Sequence, residues 1–462
     1  MPRPPRPEVG LLVVGLGTLV APLDTAVNIA FPSITRAFEL DLEDIRWVVI
    51  AYVLTYASLM LACGRLGDLV GYRPIFQLGL LLSALGLLTC SIAPSYGLLL
   101  AGRMLQGIGI ALTLSCGPAL ATSLFDEGKR TRALAFYAGV TAAGAALGPL
   151  IGGVLVARWG WAAVFWFRVP LAVLALALSW RIATVPKAGS VRGFDALGAI
   201  LLVAWMSALL LALALLPGPF GPAVPRGLAL LSLFSFAAFL VREARYPQPL
   251  IRLSPFGNLD FAILNAASIA VNLAAFGVLI LVPYYLVRVA GLDVSAGGAV
   301  LALGATGTVV GSWFAGRLAR RVSIGRLALA GVVLNIAGLW AVSAWTPETP
   351  WVAVGVSLLT QGFGVGLFQV GYTDYVTATL PAADRGVAGS LTIVTRTIGV
   401  VLGATGLSAA FTHFEAAAHA SGVPAADAFL AAFQSTFQHV AIGLALWLAL
   451  SLLVTRTRRI GT

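Results

Sequence analysis

RMLQGIGIAL (Arg103–Leu112) returns 255 residues later as LLTQGFGVGL (Leu358–Leu367), with Gln106, Gly107, Gly109 and Leu112 matched by Gln361, Gly362, Gly364 and Leu367. The register continues beyond both copies, where Arg130, Gly144, Leu147 and Gly148 are answered by Arg385, Gly399, Leu402 and Gly403. One offset that survives two apolar segments and the loop between them marks an internal duplication.

The surroundings of the repeat identify its solvent. The chain has 462 residues, 59% of them hydrophobic and only 10% charged, where a soluble domain carries about 25% charged residues. Its mean hydropathy is +0.96. Apolar runs of spanning length, about 20 residues, fall near 10–34, 45–63, 74–93, 97–125, 133–156, 161–180, 196–216, 227–241, 259–287, 297–316, 327–345, 351–376, 387–411 and 435–454. This predicts an all-α polytopic membrane protein with fourteen spanning helices. Six such helices with their loops occupy somewhat under about 200 residues. The offset therefore leaves room for two extra helices between two six-helix bundles, giving 1–182, an insert at 183–258, and 259–462. Parallel halves of this kind are a transporter architecture, with the substrate site expected at their interface near the midplane.

Charge gives the orientation. With both termini cytoplasmic, 21 of the 29 Lys and Arg residues fall in cytoplasmic segments, as the positive-inside rule requires of a plasma-membrane protein. The net charge of +11 is then loop charge, and no nucleic-acid partner is expected. Cys63, Cys90 and Cys116 lie in or beside apolar runs and read as packing residues, and His413, His419 and His439 as surface residues. Neither set has metal-ligand spacing, and the glycine runs lack the strand and acidic partner of a nucleotide site, so no cofactor is expected. The amino-terminal run continues past Asp24 and reads as an uncleaved first spanner.

Four stretches carry a family resemblance: LDTAVNIAFP (Leu23–Pro32), GRLGDLVGYRP (Gly64–Pro74), RMLQGIGIA (Arg103–Ala111) and GAALGPLIGG (Gly144–Gly153). Together they resemble the major facilitator superfamily, specifically its fourteen-spanner drug:proton antiporters, over nearly the whole chain. Physically, Gly144, Gly148 and Gly152 form a smooth stripe for close helix packing, and Pro149 permits a bend. The family treats this element as an antiporter signature. Gly64, Gly67 and Gly71 suit the tight turns of a loop after the second spanner. The resemblance makes this loop, with Asp68 and Arg73, a cytoplasmic latch facing the helix that starts near Gly386. The chain departs from the family at Leu69 and Tyr72, where basic residues are common, and at Arg168, where Asn is usual. It also has one residue fewer between Asp24 and Asn28. Arg168 is placed near the outer interface, where a long side chain snorkels.

Asp24 is an ionisable group deep in an apolar run. It lies about 21 Å up the first spanner, and Arg103 about 9 Å down the fourth from the other side, so in a core of about 30 Å the two are level. Burial favours a neutral carboxyl and a nearby guanidinium favours a carboxylate, so proton binding would follow their separation. Asp24 and Arg103 are the expected proton-coupling pair, with a static structural pair as the alternative. The resemblance makes spanners 1, 4, 9 and 12 the cavity walls. On these, Asn28, Asn265, Asn272, Gln361, Gln369 and Tyr372 are the candidate substrate contacts, an amide and aromatic lining suited to amphipathic small molecules. The sequence thus predicts drug:proton antiport, using protons, a small-molecule substrate and the lipid bilayer. An importer or symporter on the same fold, or a non-transporting receptor, remains as an alternative. No catalytic constellation or metal site is predicted.

Overall fold

A computed structural model describes residues 7–125, 127–182, 195–215, 221–246, 258–319, 321–379 and 385–460, and its regular secondary structure is helical. Residues 1–40 with 47–250 form one compact unit, and residues 41–46 with 251–462 a second.

In the first unit α1 (Pro7–Leu19) gives way to a 3-10 turn, Pro22–Thr25, and the chain resumes as α2 (Ala26–Ala37). Pro22 has no N–H to donate and its ring clashes with the carbonyl of the preceding turn. The Thr18 carbonyl instead accepts from the Ala21 N–H at 3.2 Å. Next come α3 (Leu42–Val70), α4 (Tyr72–Ser91), α5 (Tyr96–Ser123), α6 (Glu127–Trp159), α7 (Ala163–Trp166) and α8 (Arg168–Ser179). The last two helices of this unit are α9 (Ala196–Ala214) and α10 (Ala223–Arg245). They are clasped where Arg242 Nε donates to both oxygens of buried Asp195, at 3.0 and 3.1 Å. Ser207 of α9 reaches Ser58 of α3 at 3.3 Å.

The second unit holds α11 (Leu259–Tyr284), which runs into a π turn at Tyr285–Val289, then α12 (Val294–Leu318), α13 (Ile324–Ser343) and α14 (Trp351–Thr379). It ends with α15 (Arg385–Leu402), a second π turn at Gly403–Leu407, α16 (Ser408–Ala420) and α17 (Ala425–Ile460). Asp293 caps α12 by accepting from the Ser295 and Ala296 N–H groups at 2.8 and 3.0 Å, which satisfies donors that a helix start leaves open.

The repeat seen in sequence is a repeat of close backbone approaches. A Cβ on Gly86 would strike the backbone of Gln106, and one on Gly338 the backbone of Gln361. Likewise Gly109 faces Ser83 and Gly79 in the first unit, and Gly364 faces Asn335 and Gly331 in the second. Gly107 abuts the Tyr52 carbonyl, and Gly362 the Gly304 carbonyl. Small residues are what let spanning helices come this close.

Among the described residues, eleven of the fourteen expected runs lie on helical segments long and apolar enough to cross a membrane. The other three, at 45–63, 161–180 and 196–216, lie on α3, on α7 with α8, and on α9. One expectation is corrected. The stretch Gly64–Val70 is not a loop but the last two turns of α3. Only Gly71, with φ of 109°, makes the turn into α4. Gly67 serves packing instead, its α-carbon facing Cys116 and Tyr72.

Candidate functional site

The break in the first helix presents Asp24. Thr25, its neighbour, is anchored from two sides, its hydroxyl donating to the Pro22 carbonyl at 3.0 Å and to the Ala145 carbonyl of α6 at 3.1 Å. The glycine stripe of α6 forms the seat of this break. Gly144 lies against Leu19 and Pro22, Gly148 against Thr25 and Ala26, and Gly152 against Ala26. Pro149 lies within α6 between these contacts.

Asp24 and Arg103 meet as a two-pronged ion pair, Nη1 to Oδ1 at 2.6 Å and Nη2 to Oδ2 at 2.8 Å. Such a fork fixes direction as well as distance. Arg103 is itself held: Nε donates to the Val48 carbonyl of α3 at 2.8 Å and Nη1 to Gln106 Oε1 at 2.8 Å. Its guanidinium stands 4.2 Å from the ring centre of Tyr52. Gln106, one turn on, donates its amide to Asp24 Oδ1 at 3.1 Å.

A third charged residue completes the cluster. Arg168, the first residue of α8, donates from Nη1 to Asp24 Oδ1 at 2.7 Å and from Nε to the Val164 carbonyl at 3.0 Å. It is fully buried, at 0% exposure, so the expectation of a snorkelling interfacial Arg168 is wrong. Phe167, between α7 and α8, keeps helical angles of φ −63° and ψ −23°, and the Arg168 side chain reaches back to the Val164 carbonyl and inward to Asp24. The missed signal was the residue itself: a cation in WAAVFWFRVP, in a spanning segment, requires a counter-charge. Of the three, only Asp24 keeps some access, at 14%, against 1% for Arg103.

The second unit holds a neutral counterpart. Tyr372 of α14 donates to Asn265 Oδ1 of α11 at 2.8 Å and lies 2.9 Å from the Thr395 hydroxyl of α15, which also meets Ser268 at 3.0 Å. Asn272, one helix face along, donates to the Ser268 carbonyl at 2.7 Å. Gln361 donates to Asn335 of α13 at 3.2 Å. Gln369 is half-buried on α14, and Asn28 is buried on α2, one turn beyond Asp24. A cavity of about 460 Å³ elsewhere in this unit is lined by Arg288, Glu415, His419 and Asp427, and includes none of the candidate coupling or substrate-contact residues.

The loop-motif residues are only partly visible. Arg73 donates to the Trp180 carbonyl at 2.8 Å, closing the end of α8. Gly64 has open space around it apart from Ser115. The side chain of Asp68 and the surroundings of Gly386 lie outside the described residues.

Residues 14–404 match the sequence profile of the Major Facilitator Superfamily. The chain is 32% identical over 405 residues to a tetracenomycin C resistance and export protein of Streptomyces glaucescens, covering 86% of this chain and 74% of that one. It is 25% identical over 408 residues to a riboflavin transporter of Clostridioides difficile, covering 87% of each. A crystal structure of a bacterial homologue of the human lysosomal transporter Spinster, inward-facing and unoccupied, superimposes with a TM-score of 0.71 at 18% identity, covering 99% of this chain and 98% of that one.

Proposed function

Since the chain belongs to the major facilitator superfamily, we propose that it is a proton-coupled exporter of small amphipathic compounds, working by alternating access. That it is a multi-pass membrane transporter and not an enzyme follows from its family and relatives. The observation that carries the finer reading is the buried Asp24–Arg103 fork on a broken first helix. An ionisable group inside a membrane bundle is functional by default, and broken helices in transporters supply binding groups at depth. The relative named for antibiotic resistance and export supports the outward direction.

Asp24 would exchange its proton as the halves rock, with Asn28, Asn265, Asn272, Gln369 and Tyr372 contacting substrate and Gln361 adjoining them. Asp68 would steady the closed cytoplasmic side, so Asp68→Asn should slow transport while leaving ligand affinity largely intact. We place fourteen crossings in the plasma membrane with both termini cytoplasmic. α3 has the necessary length, and Ala163–Ser179 continues through Phe167 with little interruption. Cysteines introduced beside Lys187 and Arg245 should then escape labelling from outside intact cells. Proton-driven flux in proteoliposomes tests the whole reading: an imposed pH gradient should drive an amphipathic dye uphill. Dye movement that ignores the gradient would leave a uniporter. The riboflavin transporter among the relatives favours a second reading, carriage of a metabolite, which a flux panel of metabolites would reveal.

A further inference from the structure

The charged cluster in the first unit does not balance. Two guanidiniums share one carboxylate, which leaves a unit of positive charge in a spanning bundle where unpaired charge is strongly disfavoured. Among the described residues, the ion pairs of Arg103 and Arg168 go to Asp24 alone.

The hydrogen bonds carry the same imbalance. Asp24 Oδ1 already accepts three donors, at 2.6, 2.7 and 3.1 Å, and Oδ2 is taken by the Arg103 fork at 2.8 Å. Arg168 Nη2 is buried with no acceptor among the described residues. A guanidinium has five N–H donors in a fixed plane, and here the two on Nη2 are left without an oxygen. Aromatic rings stand around the cluster, Phe165 and Phe167 at 5.8 and 6.0 Å from the Arg168 guanidinium carbon and Tyr52 at 4.2 Å from that of Arg103. Rings of this kind soften a cation's field but supply no counter-charge. The excess is not a general property of the fold, because at the repeat position of Arg103 the second unit has buried Leu358.

We infer that the Asp24–Arg103–Arg168 cluster binds a carboxylate group of the transported compound, whose oxygens take the open Nη2 of Arg168 and compete with Asp24 for Nη1. This rests on reading the cluster as part of a transport site, and it narrows the substrate class to amphipathic compounds with a carboxylic acid. The rings suit an aromatic body behind that carboxylate. Entry is from the side of Asp24, the accessible member.

The test uses the full chain in detergent with two probes of nearly equal shape, radiolabelled benzoate and neutral benzamide, in equilibrium binding. Benzoate should bind at least about tenfold tighter, the equivalent of one charge-assisted hydrogen bond. Arg168→Gln should erase that preference. Arg168→Lys, which keeps the charge but not the fork, should retain part of it and serves as the readout should the Gln variant not fold. Asp24→Asn should tighten benzoate, because it removes the competing carboxylate and raises the local charge. A role confined to bracing helices would not move the two substitutions in opposite directions. Benzoate binding no tighter than benzamide, or weakened by Asp24→Asn, overturns the inference. Since the measurement is of binding and not flux, loss of gradient-driven export with the benzoate preference intact would reject the export reading alone.

Discussion

Gln106 and Gln361 occupy the same place in the repeat, and each follows a glycine-lined approach of the neighbouring helix, Gly86 in one unit and Gly338 in the other. Yet Gln106 bonds to a carboxylate and a guanidinium, whereas Gln361 bonds to an amide on α13. Three positions earlier the first unit has Arg103 and the second has Leu358, both fully or almost fully buried. The duplication has therefore kept the backbone packing and divided the chemistry. Ionic groups are gathered in the first unit, and in the second a hydroxyl and amide group at Asn265, Ser268, Tyr372 and Thr395 is satisfied without charge. Backbone approach is set by the glycines and penalises any added Cβ, while a side chain facing inward is free to differ as long as its partners differ with it.

The sharpest test of this division is to remove the charge from the first unit. Asp24→Asn leaves two guanidiniums buried without a counter-charge, a change expected to destabilise by about 3–5 kcal/mol, and it should abolish uphill export in proteoliposomes. Arg103→Gln comes next, at about 3 kcal/mol, since it removes the two-pronged pair and the Val48 anchor but leaves Arg168 to neutralise Asp24. The double replacement of Asp24 and Arg103 by neutral residues should fail to restore transport, because Arg168 would still be buried and unpaired. Gradient-driven export by that double variant would reduce Asp24 to a brace. Thermal melting of the purified variants gives the order of stabilities, and a flat order would break the contrast between the units.

The pairing of Asp24 with Arg103 was legible because helical rise converts residue counts into depth, and both counts reach the same level of the bilayer. The duplication was legible for a related reason: close helix contacts demand glycine at fixed intervals, so packing leaves a trace in the sequence. Arg168 was not legible in the same way. Depth counted along the sixth helix puts it near the surface, but depth alone does not say that its side chain points inward to Asp24. The break before Asp24 did have a signal, Pro22, which lies two residues ahead of the carboxylate it exposes. The end of α3 was misread because three glycines in eight residues look like a loop, whereas two of them lie within the helix and only Gly71 takes a positive φ. Of the neutral group in the second unit, Asn265 on α11 and Tyr372 on α14 stand out in the sequence as amide and aromatic residues in apolar runs, but its hub, Thr395 on α15, does not, because threonine is common in spanning helices.

Glycine substitutions separate packing from chemistry at smaller magnitude. A Cβ on Gly148 would fall on the Thr25 hydroxyl, and one on Gly403 would come within 2.7 Å of the Leu273 carbonyl. Overpacking of this kind costs about 1–3 kcal/mol, so Gly148→Ala and Gly403→Ala should lose similar stability by thermal melting. Their effects on coupling should differ. Gly148→Ala displaces the turn that holds Asp24, and the ratio of protons to substrate moved should fall. Gly403→Ala should slow both fluxes together. Equal loss of coupling in the two variants would mean that the stripe acts only as a hinge.

The smallest effect should come from Tyr372→Phe, which probes the neutral side of the comparison. The phenol is buried and makes two side-chain contacts, to Asn265 and Thr395. Loss of the hydroxyl frees the Asn265 carbonyl oxygen, but the amide nitrogen keeps its bond to the Phe261 carbonyl at 2.7 Å. Thr395 likewise retains the Leu391 carbonyl at 3.0 Å and Ser268 at 3.0 Å. Because only the Asn265 carbonyl oxygen is left open and no charge is stranded, the loss should be about 1 kcal/mol, the low end for one buried acceptor left unsatisfied. Ring stacking on Phe368, at 5.7 Å between centroids, is unaffected by the change. Substrate affinity should shift if Tyr372 contacts the compound, while the proton-to-substrate ratio should stay at the wild-type value. A fall in that ratio comparable to the one caused by Asp24→Asn would show that coupling is shared by both units, and the division of chemistry between them would no longer hold.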